Sequence, residues 1–573
     1  MACRCLLSRI LNYHSAPNTI LTLTCQRRLQ VALLEGTRKY SAAKSTTSDG
    51  PDTYFITTPI FYVNSVPHIG HLHTTVLSDC LARWHRIKGK HVIFSTGTDE
   101  HGMKIQKAAL DHNQQPADYC DKISAEFQRL FTLTNISHTN FIRTTEQRHI
   151  ETVQHFWQRI YDNGYIYKGS YSGWYCTSDE AFLTDDRVDE ITSKDGKLIK
   201  VSADSGHPVE WMEEENYMFK LSAFKQQLLD WLRKDVIKPA KFQAVVNQWV
   251  EQSLQDLSVS RTTKRLTWGI PVPGDPTQTI YVWLDALVNY LTVGGYPRMG
   301  YTWPAQCHVV GKDILKFHAV YWPAFLMAAD LPVPDEIMCH SHWLVDGVKM
   351  SKSLGNVVNP FDDVNKYTVD GLRYFLLREA VPHSDANYTT DKVTNILNSE
   401  LANTLGNLLG RCTSMAVNPN QHFPEFDEEL FKSTSSDADQ EMMKSLHKLP
   451  GFVDDCYTEY NIYKGIDAVM NQLRLTNTFL EQQKPWELCK HNERARQLGN
   501  VLHLTMETLR VCAILLQPIT PDMACRILDA LNIPKDSRMF VDSKCHFQGG
   551  TSLAATRSGP AFKRITHRSK ASV

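Results

Sequence analysis

Apolar positions along the chain follow two regimes that change near residue 385. Between residues 51 and 145, short apolar runs alternate with stretches of helical period. Residues 54–58 read as a strand, Pro67 and Gly70 mark a tight turn, and 72–87 carry a helical pattern. A second strand is expected over 91–96, running out into Gly97-Thr98-Asp99-Glu100-His101-Gly102, with a helix over 103–112. Such alternation predicts a parallel sheet whose ligands sit at the carboxyl ends of its strands, so both loops should face one crevice. From 165 to 215 the pattern breaks into short strands and turns, as an insertion into the sheet domain would. Helices are expected over 218–231 and 242–257. Parallel-sheet character then returns, with strands over 279–284 and 308–310 and a helix over 314–329. Residues 340–345 lead into a loop flanked by Gly347 and Gly355, which should be mobile. Beyond 385 the pattern is helical over 393–415, 441–460, 464–482, 493–517 and a shorter stretch from Pro521, which predicts a helical bundle. The last thirty residues mix Gly, Ser and basic side chains and are expected to pack loosely.

A chain of 573 residues is too long for one core. No apolar run is expected to approach the roughly 20 residues that span a bilayer, so no membrane partner is expected. The first forty residues differ in character: Arg4, Arg9, Arg27, Arg28, Arg38 and Lys39 stand against one acid, Glu35. Arg-rich, Ser-rich and acid-poor is the composition of an organelle transit peptide, and Arg38-Lys39-Tyr40 before Ser41 looks like a mitochondrial processing site. A basic arm that binds nucleic acid is the competing reading. Removing six basic residues and one acid from a chain of net charge −1 leaves −6. Any nucleic-acid binding must then come from local basic patches. The fourteen cysteines include no C-x-x-C pair, so no metal site and no structural zinc are expected, and buried free thiols fit best.

The stretch from Pro59 to His71 is where chemistry first suggests itself. A strand that feeds a helix through a turn presents unpaired backbone N–H groups and the positive end of a helix dipole, a site for phosphate. His68 and His71 are three residues apart and can share one face of the first turn. Taken alone, two histidines at a helix start could equally be a surface accident or a satisfied pair. Lys349 and Lys352 in the glycine-flanked loop, taken alone, read as solvated surface lysines.

Together, however, His68-Ile69-Gly70-His71 and Lys349-Met350-Ser351-Lys352-Ser353 resemble the HIGH and KMSKS pair of class I aminoacyl-tRNA synthetases. One specified tetrapeptide arises by chance in roughly one of several hundred chains of this length. In that family a carboxylate attacks the α-phosphate of ATP and expels pyrophosphate, so charge on the phosphates is what must be stabilised. The resemblance implies catalytic roles for His68, His71 and Lys352, and nucleotide contacts from His68, Gly70, His71, Gly311, Asp313, Lys349, Ser351 and Lys352. Over residues 53–385 the chain resembles methionyl-tRNA synthetases of the bacterial and organellar type. That match implies a methionine pocket of Ile60, Tyr62, Asp99, Trp283, Ala286, Leu287, Tyr290, Ile314, His318 and Trp322, with Asp99 on the ammonium group. An aromatic slot suits a polarizable thioether, although each aromatic taken singly reads as core. In the helical half, Lys484-Pro485-Trp486-Glu487 resembles a segment whose tryptophan stacks on an anticodon base. Asn403 lies near a second such position, with Glu400 and Thr404 where the bacterial pattern has Asn and Arg.

The implied fold is α/β: a Rossmann-type parallel-sheet catalytic domain split by a small connective insertion, followed by an α-helical anticodon-binding bundle. The expected division is a transit peptide over 1–40, catalytic halves over 41–165 and 236–340, and a zinc-free insertion over 166–235. The KMSKS loop and stem-contact region cover 341–385, the anticodon-binding domain 386–535 and a tail 536–573. The implied reaction is ligation of methionine to tRNA(Met) in the mitochondrial matrix, using ATP with Mg2+, by a monomer. A class I ligase for cysteine or a branched aliphatic amino acid is a second reading. A tRNA-binding scaffold with a dead catalytic domain is a third.

Overall fold

The computed structural model describes residues 52–176, 181–183, 185–192, 198–203, 206–252, 254–350, 355–554 and 560–566. The basic leader over 1–40 and the loop residues Ser351, Lys352 and Ser353 lie outside the described residues. Residues 52–573 form one compact unit.

The strand Thr53–Thr57 is the pivot of a parallel sheet. Its residues Tyr54, Phe55 and Ile56 are buried in succession, the near-continuous apolar run of a strand covered on both faces. On one side it pairs with His91–Asp99, the next long strand in sequence, and on the other with Cys307–Gly311, from far downstream. Glu336–His340 and then Ile237–Lys238 extend the sheet beyond Cys307–Gly311. The chain therefore reverses direction around Thr53–Thr57, the switch point at which open α/β sheets bind ligands. The strand order also has a step. Thr58 still donates to the Ser95 carbonyl (2.9 Å) and Val63 to that of Asp99 (3.1 Å), but Pro59 and Ile60 leave the ladder between them. Phe61–Tyr62 then rejoins the edge of His91–Asp99, while Asn140–Arg143 takes its other edge.

Several expected elements are corrected. Residues 218–219 end the long strand Glu210–Phe219, whose partner Ile166–Cys176 forms a four-stranded antiparallel sheet with it, and the helix begins only at Lys225–Leu232. The helix Ala240–Glu251 stops short of 257, where Leu257–Ser258 joins that sheet. The strand expected over 279–284 is Asp275–Ile280, paired antiparallel with Ser260–Thr262, and Val282 already opens the helix Val282–Gly294. The single helix expected over 314–329 is a 3-10 turn Lys312–Ile314, a π turn Phe317–Tyr321 and an α-helix Trp322–Ala328. Pro323 falls in the first turn of that α-helix, where a missing N–H is tolerated.

In the helical half, Asp437–Thr458 and Ile462–Gln483 pack against Ala495–Leu516, which is buried at every residue from Asn500 to Leu516. The stretch Asn492–Leu516 is long and apolar enough to cross a membrane by length and composition, contrary to the sequence reading, and 89% of its apolar window is buried inside the protein. Burial on all sides explains the composition: this is the bundle's central helix. The C-terminal segment is more tightly held than expected. Thr551–Ser552 pairs with His422–Phe423, and Leu553, Ala561 and Phe562 are buried.

One buried cation joins the two halves. Arg373, on the helix Val369–Glu379, is 1% exposed and donates to Asp79 (2.7 Å) and to the carbonyls of Thr134, Pro518 and Ile519. Asp79 lies in the helix Ile69–Ile87, while Pro518 and Ile519 follow the central bundle helix. Burial alone would raise the Asp79 carboxyl; the charges of Arg373 and Arg83 and two hydrogen bonds from Ser137 outweigh it and hold its pKa below 3.8. Replacing Arg373 by Met should destabilise the protein by about 3–5 kcal/mol in urea unfolding, because it strands a buried carboxylate. Because the folded pKa of Asp79 is depressed, its contribution is complete above pH 3.8 and disappears as pH falls below that value. Asp79→Asn should therefore flatten the acid limb of the stability profile.

Candidate active site

The first turn of Ile69–Ile87 is built by its own histidines. His68 is the N-cap: its Nδ1 accepts from the Gly70 N–H (3.1 Å), and the His71 Nδ1 accepts from the His68 N–H (3.1 Å). The two rings stack at 3.8 Å, and His71 rests edge-on against Phe61 and Phe127. A backbone N–H donates only to an unprotonated ring nitrogen, so each imidazole carries its proton on Nε2. In this geometry Nε2 is the ring nitrogen from which each histidine can donate. Gly70 is required here, since a Cβ would meet His68 Cε1 at 2.9 Å. The turn has no acidic residue, so nothing local opposes an anion at the helix's positive end.

This turn lines a cavity of about 540 Å³ at the carboxyl ends of the parallel strands. The cavity brings together His68, Gly70, His71, Gly311, Asp313 and Lys349 from the nucleotide set. From the methionine set it gathers Ile60, Tyr62, Asp99, Trp283, Ala286, Leu287, Tyr290, Ile314 and His318. Ile60 reaches it because the strand breaks at Pro59, and Asp99 because His91–Asp99 ends there, 8% exposed. Trp322 does not line the cavity. It is fully buried behind the wall, its indole N–H donating to His308 Nε2 (3.3 Å).

The far wall is a polar chain in an apolar setting. His318 Nδ1–H donates to the Ile314 carbonyl (3.0 Å), so its Nε2 accepts from the Tyr290 hydroxyl (2.8 Å). Burial lowers the His318 pKa to about 4, which keeps the ring neutral in ordinary conditions. The Trp283 ring lies on Phe317 at 3.6 Å. Asp313 opens onto the cavity. Burial pushes its pKa up, but the hydrogen bond from His342 (3.2 Å) and that ring's charge outweigh it and bring the carboxyl down to about 2. Gly311 leaves room for this carboxylate, since a Cβ there would meet Asp313 Oδ1 at 2.6 Å.

Sequence reasoning missed several lining residues: Asn64, Lys104, His340, Ser341, His342 and Trp343. The histidines carried a usable signal, because they follow the end of the strand Glu336–His340 just as Gly311 ends Cys307–Gly311. No group of three or more His, Cys, Asp or Glu placed to hold a metal occurs among the described residues.

A second cleft, of about 920 Å³, opens on the helical half between Asn407, Arg411, Leu480, Trp486 and Ala561. Trp486 is 37% exposed there. Asn403 is exposed outside the lining and accepts from Arg564 (3.1 Å). Glu400 turns inward, accepting from Tyr374 (2.6 Å) and Arg378 (3.3 Å).

Comparison with known proteins agrees with this geometry. The family described as "tRNA synthetases class I (M)" matches residues 54–413, and "Anticodon binding domain of methionyl tRNA ligase" matches 432–570. The chain is 48% identical to the mitochondrial methionine–tRNA ligase of Homo sapiens, over 91% of this chain and 93% of that protein. It is 43% identical to the methionine–tRNA ligase of Rickettsia felis, over 85% and 94%. Among solved structures, Mycobacterium tuberculosis methionyl-tRNA synthetase in complex with methionyl-adenylate superposes with a TM-score of 0.85 at 36% identity, covering 90% of this chain and all of that one.

The capping geometry makes a spectroscopic prediction. In 15N-labelled protein, His68 and His71 should resonate as Nε2–H tautomers at neutral pH, and His318 as the Nδ1–H tautomer, taking a second proton only near pH 4. A proton on Nδ1 of His68 at neutral pH would contradict the cap.

Proposed function

Since the chain belongs to the methionyl-tRNA synthetase family of class I ligases and is a methionine–tRNA ligase, we propose how its own residues divide that reaction. The observation that carries the reading is the single cavity shared by the His68–His71 turn, Asp99 and the Trp283–Tyr290 wall. Methionine binds with its ammonium group on Asp99 and its thioether among Trp283, Leu287, Tyr290 and His318. A flexible sulfur side chain gains from dispersion against aromatic faces, and the neutral Tyr290–His318 pair adds polarity without a charge. Trp322 acts indirectly, by backing His308 and Tyr290.

ATP lies with its ribose near Gly311 and Asp313 and its phosphates over the first turn of Ile69–Ile87. Mg2+ enters with the nucleotide as its counter-ion. The methionine carboxylate, anionic at neutral pH, attacks the α-phosphorus; a new P–O bond forms and pyrophosphate leaves with the electron pair of the broken one. No general base is needed. The Nε2–H groups of His68 and His71 and the helix N-terminus supply fixed donors to the phosphates. Lys349 and Lys352 supply full positive charge from the loop, with Ser351 beside them. The terminal adenosine of tRNA(Met) then attacks the activated carboxyl carbon and AMP departs.

The helical half receives the tRNA, with Trp486 offering its exposed face to an anticodon base. Asn407 and Arg411 line that cleft and are better placed for edge contacts than Asn403. The division of the chain into transit peptide, split catalytic domain, insertion, stem-contact region, bundle and tail is part of the same reading, as is a monomeric state. The relatives at 47–49% identity are mitochondrial enzymes by name, and the arginine-rich leader fits import into that organelle, so we place the ligase in the mitochondrial matrix.

Pyrophosphate exchange into ATP, tried with each amino acid in turn, should occur with methionine only; exchange driven by another amino acid would refute the assignment. Lys352→Ala should slow activation by about 10²–10³-fold while methionine affinity stays within twofold, since its charge acts on the transition state. Trp486→Ala should lower tRNA charging by about 5–150-fold, the loss of one stacked base, and leave exchange intact. Loss of both activities would assign Trp486 to the core.

A further inference from the structure

The helix Val282–Gly294 has two buried faces. One carries Trp283, Ala286, Leu287 and Tyr290 into the cavity. The opposite face carries a carboxylate that the methionine reading does not use. Asp285 is 1% exposed, and each of its oxygens meets a different histidine: Oδ2 accepts from His101 Nδ1 (2.7 Å) and Oδ1 from His149 Nε2 (2.8 Å). His149 is fully buried and its other ring nitrogen meets the Thr292 hydroxyl (3.0 Å), two helical turns along from Asp285. His101 is 7% exposed and sits two residues beyond Asp99.

These bonds span three separate pieces of chain. His101 belongs to the segment after the strand His91–Asp99, His149 to the helix Gln147–Asp162, and Asp285 to the helix of the far wall. A buried carboxylate with two charge-assisted bonds is strong and directional, and losing it leaves two ring N–H groups without an acceptor. We propose that Asp285 is a positioning residue for methionine, setting the width of the amino-acid slot by holding the Asp99-bearing segment at a fixed distance from the Trp283–Tyr290 wall. The proposal rests on the methionine reading above. It separates the two substrates. The nucleotide contacts lie on the His68–His71 turn and at Gly311–Asp313, which the Asp285 bonds do not touch. A misplacement of about 1 Å between distant groups can cost up to about 10²-fold, so the effect should be large and confined to the amino acid.

Methionine-dependent pyrophosphate exchange by the full chain provides the test, with the KM of each substrate determined separately. Asp285→Asn keeps the size but removes one acceptor. It should raise the methionine KM by about tenfold or more, leave the ATP KM within twofold and move the thermal midpoint by only a few degrees. An unchanged methionine KM would overturn the proposal, and so would a parallel rise in both KM values, the mark of a generally loosened domain. Should Asp285→Asn fail to fold, Thr292→Val removes only the outer bond on His149. That variant should still raise the methionine KM about twofold with the ATP KM unmoved, and no change there counts equally against the idea. Failure of the unmutated chain to exchange with methionine would instead strike the reading beneath it.

Discussion

The site depends on a charge that is nowhere near it. Arg373 is buried among four partners, and its bond to Asp79 fixes the middle of the helix Ile69–Ile87, whose first turn is the phosphate cradle of the proposed reading. The same guanidinium closes on the carbonyls of Pro518 and Ile519 at the end of the bundle's central helix. Further along Ile69–Ile87, Trp84 stacks on Tyr457 at 4.0 Å, and just past its end Lys88 reaches Asp454 at 2.5 Å. The helix that presents His68 and His71 is therefore gripped by the helical half over its C-terminal turns. A charge so deeply buried is worth having only when its donors are met, and here four of the five guanidinium N–H groups find acceptors.

At the other end of that helix the constraint is backbone rather than charge. A parallel sheet must release its central strand toward the ligand without leaving polar groups unsatisfied. Pro59 does this, having no N–H to satisfy, and Thr58 and Val63 restore the ladder on either side. The step carries Ile60 into the cavity and leaves Tyr62 in register with Asp99. His68 then caps the helix in place of the usual Ser or Asp. The choice serves the site, because a carboxylate cap would repel phosphate whereas an imidazole cap leaves a donor.

Local pattern made much of this legible. The apolar run ending in Gly-Thr-Asp is a strand end, and its loop does share a cavity with the His68–His71 turn, as the alternation of elements predicts; Asp313 is reached only through the family resemblance. What local pattern cannot tell is which partner a strand will take. Asp275–Ile280 has the composition of a sheet strand but pairs antiparallel, apart from the parallel sheet. Nor does it separate a cavity wall from the layer behind: Trp322 and Tyr290 are both buried aromatics, and only the three-dimensional turn of Phe317–Tyr321 decides which faces inward. Asp285 is the clearest case. Its partners are 184 and 136 residues away, so nothing in its neighbourhood announces a bridge. The helix Ala495–Leu516 shows the reverse ambiguity, an apolar run whose meaning is set by what surrounds it.

The tautomers of His68 and His71 bear on how charge is distributed through the reaction. A capping imidazole cannot take a second proton on Nδ1 without losing the backbone donor that holds it, so the cap and the cation are mutually exclusive. In the proposed reading the fixed part of the phosphate site is therefore a set of N–H donors and a helix end. Fixed cations would stabilise bound ATP and the transition state alike, which tightens binding without raising the chemical rate. In the proposed reading the full charges sit elsewhere, on Lys349 at the end of the hairpin Trp343–Val345 and Val348–Lys349, and on Lys352. In the same reading the Asp99 carboxylate holds the ammonium group from the amino-acid side. In the proposed reading Asp99, at the end of His91–Asp99, and Asp313, in the turn after Cys307–Gly311, serve different substrates. In that reading, donors fixed on the helix end and charge supplied by the lysines reserve the site's strongest interaction for the moment charge develops.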